Sequence, residues 1–200
     1  EFADCVDVED VRETLERQME YNLAIAREGL TGNYGARIGQ VLLRSYGNDV
    51  HVRAKAWAAA ASDARMGGCS LPVVINSGSG NQGLTVSLPV IEYARHLGVC
   101  RDKLYRALLI SNLTSIFQKH YIGSLSAFCG AVTAAAGCGA AITWLHGGTY
   151  ENICDTIANT VANVGGMVCD GAKASCAAKI ASAVDAAIMA HHLSMRGLKF

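Results

Sequence analysis

The chain has 200 residues, 51% hydrophobic and 17% charged, with 17 Lys and Arg balanced by 17 Asp and Glu. That length and apolar content allow one domain with a sizeable core and exclude a disordered chain. A formal charge of zero gives no long-range field for polyanions, so neither nucleic acid nor an acidic membrane surface is expected as a partner.

Two Pro, 21 Gly and only 6% aromatic residues argue against a β-sandwich and for closely packed helices. Eight Cys are too few for a disulfide scaffold, and no secretory leader pattern precedes them, so the expectation is a cytoplasmic protein with free thiols. The chain opens Glu1-Phe2 and its first methionine is Met19. Residues 1–200 are therefore expected to form a single helical catalytic-type domain, a fragment of a longer chain.

In chain order, residues 7–28 read as an amphipathic helix, with Val8, Val11, Leu15, Met19, Leu23 and Ala26 at three- and four-residue steps. Residues 31–47 read as a loop into a short helix, and 51–66 as an Ala-rich helix stopped by Gly67-Gly68. Residues 71–76 form a short apolar run, a strand or an extended lead-in. Further helices are expected over 84–97, 101–117, 124–145, 150–164 and 171–192. With no series of alternating strands, the predicted fold class is all-α, a multi-helix globular domain with glycine-rich connecting loops. Residues 121–150 contain no Asp, Glu, Lys or Arg. Their many Gly, Ala, Ser and Thr favour a buried helix over a membrane span.

Gly78-x-Gly80-x-x-Gly83 follows an apolar run and matches the dinucleotide-binding pattern. That chemistry also requires a second strand ending in an acidic residue about 20 positions on. Here Pro89 is expected to interrupt the following helix, and Arg101-Asp102-Lys103-Leu104-Tyr105-Arg106 reads as a helix start. A nicotinamide-dependent oxidoreductase is therefore the weaker reading. Asn76, Ser77, Ser79, Asn81 and Gln82 nevertheless crowd hydroxyls and amides into a loop whose glycines expose backbone N–H groups. Such a loop suits a carboxylate, and equally suits a polar turn between buried elements.

No two cysteines form a CxxC pair, so zinc-ribbon and thioredoxin chemistry fall away. Any single Cys reads as core packing or as a ligand in a wider set. Cys169 and Cys176 are seven apart and would share a helix face if the last helix began early enough.

Three ordered motifs carry a resemblance. They are Asn76-Ser77-Gly78-Ser79-Gly80-Asn81-Gln82-Gly83, Lys119-His120-Tyr121-Ile122-Gly123-Ser124-Leu125-Ser126-Ala127-Phe128-Cys129-Gly130, and Gly165-Gly166-Met167-Val168-Cys169-Asp170-Gly171-Ala172-Lys173. Together they resemble the carboxy-terminal half of the L-cysteine desulfidase family, relatives of the iron–sulfur L-serine dehydratase alpha chain. The resemblance implies a lyase with a [4Fe–4S] cluster held by three cysteines, one iron remaining open to substrate. It implies β-elimination on a small amino acid, L-cysteine to pyruvate, ammonia and sulfide or L-serine to pyruvate and ammonia. Cys129 and Cys169 match the family's motif cysteines. Cys176 is the third nominee, with Cys138 or a residue of the absent amino-terminal half as alternatives, because the related dehydratases place their second cysteine at a longer spacing.

By the same analogy, Asn76, Ser77, Gly78, Ser79, Gly80, Asn81 and Gln82 would bind the substrate carboxylate. Lys119 or Lys173 would add charge, each standing equally as a solvated helix-end residue, and His120 is a candidate base for which the non-functional reading is the stronger one. The expected partners are the small amino-acid substrate, the missing half of the enzyme and a second copy in a homodimer. A non-catalytic cluster-binding or ligand-sensing module is the alternative from another class.

Overall fold

Small residues decide how closely these helices pack. The computed structural model describes residues 1–123 and 126–200. In chain order the helices are α1 (Phe2–Cys5), α2 (Glu9–Thr31), α3 (Ile38–Tyr46), α4 (Val50–Met66), α5 (Gly80–Leu97), α6 (Arg101–Ile122), α7 (Gly130–Leu145), α8 (Tyr150–Val164) and α9 (Cys176–Ser194). No β-strand occurs among the described residues, so the all-α expectation holds. The apolar run at 71–76 is an extended lead-in, ending in an isolated bridge between Asn76 and Ser79.

α7 is the central element, packed by α5, α6, α8 and α9. Its residues from Ala131 to Thr143 are all buried, which accounts for the charge-free sequence. At Gly137 an added Cβ would lie 2.4 Å from the Ser111 carbonyl oxygen, so only glycine lets α6 approach this closely. Among the described residues, no helix is long and apolar enough to cross a membrane.

Local chemistry fixes the helix starts. The Asp49 carboxylate accepts from the Val52 amide to open α4, and Thr149 and Asn152 form a reciprocal capping box on α8. The Ser79 hydroxyl accepts from the Gln82 amide, starting α5 at Gly80 rather than at the predicted 84. Pro89 does not interrupt α5, contrary to expectation. A proline inside a helix costs about 3 kcal/mol, but every residue from Gln82 to Ala94 is buried, and that packing holds the helix together.

Three further boundaries move, all beside the cavity described below. α6 runs to Ile122, which puts Lys119 and His120 in its last turn. α7 begins at Gly130 instead of 124, since 126–129 are not helical; Ser124 and Leu125 lie outside the described residues. α9 begins at Cys176 instead of 171, leaving 165–175 as a connection.

A buried polar seam joins α7, α8 and α9. The Thr143 hydroxyl bonds Thr156 Oγ1 at 2.9 Å and His191 Nδ1 at 3.0 Å, and Thr156 bonds Ser194 Oγ at 2.6 Å. Burial pushes His191 down to about 3, and the neighbouring His146 and His192 add to the shift, so it sits neutral in the core.

Candidate functional site

The first turns of α5, α7 and α9 converge on one cavity of about 480 Å³, closed on another side by the last turn of α6. Each helix start presents amide N–H groups with no intrahelical acceptor, so each acts as roughly half a positive charge. α5 contributes Asn81, Gln82 and its cap Ser79; α7 contributes Gly130 and its cap Cys129; α9 contributes Cys176; α6 contributes Lys119.

Two segments far apart in sequence bring Cys129 and Cys169 to the same edge. The Cys129 amide donates to the Met167 carbonyl at 2.9 Å and the Cys169 amide to the Ala127 carbonyl at 2.7 Å, a small antiparallel bridge between Phe128 and Val168. Cys176 stands at the start of α9, where its Sγ accepts from the Lys173 amide at 3.5 Å. Burial raises the Cys129 thiol above its ordinary value, while the Ala131 amide and the Lys179 ammonium pull it back. Lys179 donates to the Val168 carbonyl at 3.0 Å and to the Asp170 carboxylate. Lys173 also pairs with Asp170, at 2.6 Å, and the two lysines hold that carboxyl well below the usual carboxylate range.

The α5 side of the cavity is braced from behind. Asn81 Oδ1 accepts from Ser62 Oγ at 3.2 Å and from Arg65 Nη1 at 3.3 Å. Gln82 is only 7% exposed, and its Oε1 has no hydrogen-bond partner. A Cβ on Gly130 would fall 2.4 Å from the Gln82 amide nitrogen, so the glycine after Cys129 makes room for that side chain.

Of the residues nominated from sequence, the cavity brings together Ser79, Asn81, Gln82, Lys119, Cys129, Cys169 and Cys176. The others lie apart from its lining. The Asn76 amide donates to the Asn112 carbonyl and side chain at 3.2 and 3.0 Å, and Ser77 Oγ donates to Asn76 Oδ1 at 2.9 Å, which makes them braces of the turn. Gly78 takes a φ of +79° at the apex, and Gly80 packs against Arg65. His120 is exposed, edge-on to Tyr121, and Lys173 is engaged by Asp170. Cys138 is fully buried within α7, its thiol donating to the Ala135 carbonyl at 3.1 Å and pushed up to about 12 by burial. That placement makes it a packing residue.

Sequence reasoning missed Lys179 and Arg65. Lys179 lies three residues after Cys176, hence on the same helix face, and that spacing was the available signal. Arg65 lies in the last turn of the helix before the glycine loop, 16 residues ahead of Asn81, and no motif marked it.

The chain matches the serine dehydratase alpha chain family over residues 2–199 and belongs to that family. A UPF0597 protein of Lachnoclostridium phytofermentans is 64% identical over all of this chain and 48% of its own length. One from Desulfitobacterium hafniense is 62% identical over all of this chain and 46% of its own, and one from Treponema denticola is 54% identical over 98% and 47%. The chain thus spans about half the length of these curated relatives. No solved structure matches it.

Proposed function

We propose that this chain is the cluster-bearing part of an iron–sulfur-dependent lyase that performs β-elimination on L-cysteine or L-serine. The observation that carries the reading is the convergence of Cys129, Cys169 and Cys176 on one cavity with three helix starts and Lys119. Among the described residues, no three His, Cys, Asp or Glu side chains are placed to hold a single metal ion. Three thiols lining one cavity fit an iron–sulfur cluster in ligand softness and number, and would hold it there. When bound, such a cluster would supply an open iron as Lewis acid toward the substrate's β-thiol or β-hydroxyl.

The rest of the chemistry falls to the chain. In this reading the substrate carboxylate binds at the start of α5, beside Ser79, Asn81 and Gln82, and Lys119, which lines the same cavity, adds its charge. The unpartnered Gln82 Oε1 is available to accept from the substrate ammonium group, which orients the Cα–H bond. Transfer of that proton to a base and departure of the β-substituent as hydrosulfide or hydroxide would give aminoacrylate, which tautomerises to the imine and is hydrolysed by water to pyruvate and ammonia. Cys138 has no part in this reading.

The test is anaerobic reconstitution of the chain with ferrous iron and sulfide, followed by iron and acid-labile sulfide assays and pyruvate release from each amino acid. A Cys129→Ala, Cys169→Ala double variant serves as the control. Iron near four per chain, lost in the double variant, is the expected outcome. Equal iron in both proteins sinks the ligand assignment. Iron without pyruvate, unrelieved by adding the remaining half of a full-length relative, favours a cluster-binding or ligand-sensing module.

A further inference from the structure

Cys169 is exposed and belongs to a connection rather than a helix, so something must hold it against the other two thiols. The bridge to residues 127–129 fixes one side of the segment. The other side is gripped by Lys179, which bonds the residue before Cys169 through the Val168 carbonyl and the residue after it through the Asp170 carboxylate. The Lys179 side chain is 23% exposed, and it rises from α9 one turn beyond Cys176. Its ammonium also acts electrostatically on Cys129 and Cys176. One side chain therefore touches the Cys169 segment on both flanks, stands on the helix that carries Cys176, and places positive charge beside the thiols.

We propose that Lys179 is a positioning residue that clamps the Cys169 segment onto α9, so that the three thiols are held as one ligand set. The inference rests on the reading of Cys129, Cys169 and Cys176 as ligands. Lys173 shares Asp170 but reaches it from inside the same connection, so it stiffens the segment without tying it to α9. Within this pair of lysines, only Lys179 joins the segment to the helix of Cys176.

Two readouts test the clamp apart from turnover, using the whole chain with Lys179→Met, Lys179→Arg and Asp170→Asn. The first is amide hydrogen exchange of the reduced, iron-free protein. Lys179→Met is expected to speed exchange at the Cys169 amide roughly tenfold, the loss of a charge-assisted hydrogen bond, with the α9 amides unchanged. Asp170→Asn should act in the same direction, and Lys179→Arg should restore most of the protection. The second is the rate at which reconstituted protein loses iron to a chelator, expected to rise roughly tenfold in Lys179→Met and to be rescued in Lys179→Arg.

Unchanged Cys169 exchange in both Lys179→Met and Asp170→Asn overturns the clamp. Faster exchange with unchanged iron loss overturns its role toward the thiols. A wild-type chain that takes up no iron overturns the ligand-set reading by itself, and the exchange result still decides whether Lys179 holds the segment.

Discussion

Cys138 within α7 and Cys129 at its N-terminal cap illustrate the difference between the interior of the helix and its leading edge. Cys138 is enclosed by neighbouring helices, bonds its own backbone and has a thiol far too basic to ionise near neutrality. Cys129, at the helix start, borders the cavity, bonds a distant segment through its amide and lies within the influence of Lys179. The residue type is the same, and the environment alone separates a filler from a candidate ligand.

Substitutions at glycine should widen that contrast most. Gly137→Val pushes a side chain against the Ser111 backbone, which cannot yield, and is expected to cost about 3 kcal/mol in urea unfolding. At the edge, Gly130→Ala meets the Gln82 side chain rather than backbone and is expected to cost less, about 1 kcal/mol. Equal losses at the two sites would erase the distinction between interior and edge.

Acid should attack the interior first. His191 binds its proton at about 3 when folded, against an ordinary value of 6.5, so the unfolded chain takes up the proton first. Its contribution is complete above pH 6.5 and is lost as pH falls toward 3, with a slope of up to about 1.4 kcal/mol per pH unit. His191→Gln should flatten that slope in unfolding experiments across the window. A slope that survives the substitution assigns the acid sensitivity elsewhere.

The energetic effects at the cysteines are also small. Cys138→Ala is expected to cost about 1 kcal/mol and leave iron uptake intact, while Cys129→Ala should show a comparable or smaller cost and impair uptake. Alkylation of the native chain followed by mass spectrometry should mark the exposed Cys169 and spare Cys138.

The helical architecture was legible because its signals are local. Glycine pairs punctuate the chain, and the charge-free stretch from Tyr121 to Tyr150 contains the buried core of α7, Ala131 to Thr143, while Tyr121, Phe128 and Tyr150 are exposed. The helix starts around the cavity were harder to place, because they depend on particular partners. The Ser79 hydroxyl draws Gly80, Asn81 and Gln82 into α5, and the pairing of Phe128 with Val168 accompanies the later start of α7. Cys129 and Cys169 were nominated because their motifs resemble the family's, and Cys176 by analogy and by its seven-residue spacing from Cys169. Lys179 escaped notice because its bonds to Val168 and Asp170 exist only once α9 has packed.

The meeting of three helix starts in a chain of zero net charge has a consequence for what can be attracted. Mobile ions damp a local potential within about 8 Å at physiological ionic strength. A large polyanion passing the surface therefore encounters an almost neutral object. A small anion that has already entered the cavity meets backbone dipoles at full strength, since no salt stands between them. On the proposed reading, binding of a small acid in this cavity is expected to depend only weakly on added salt.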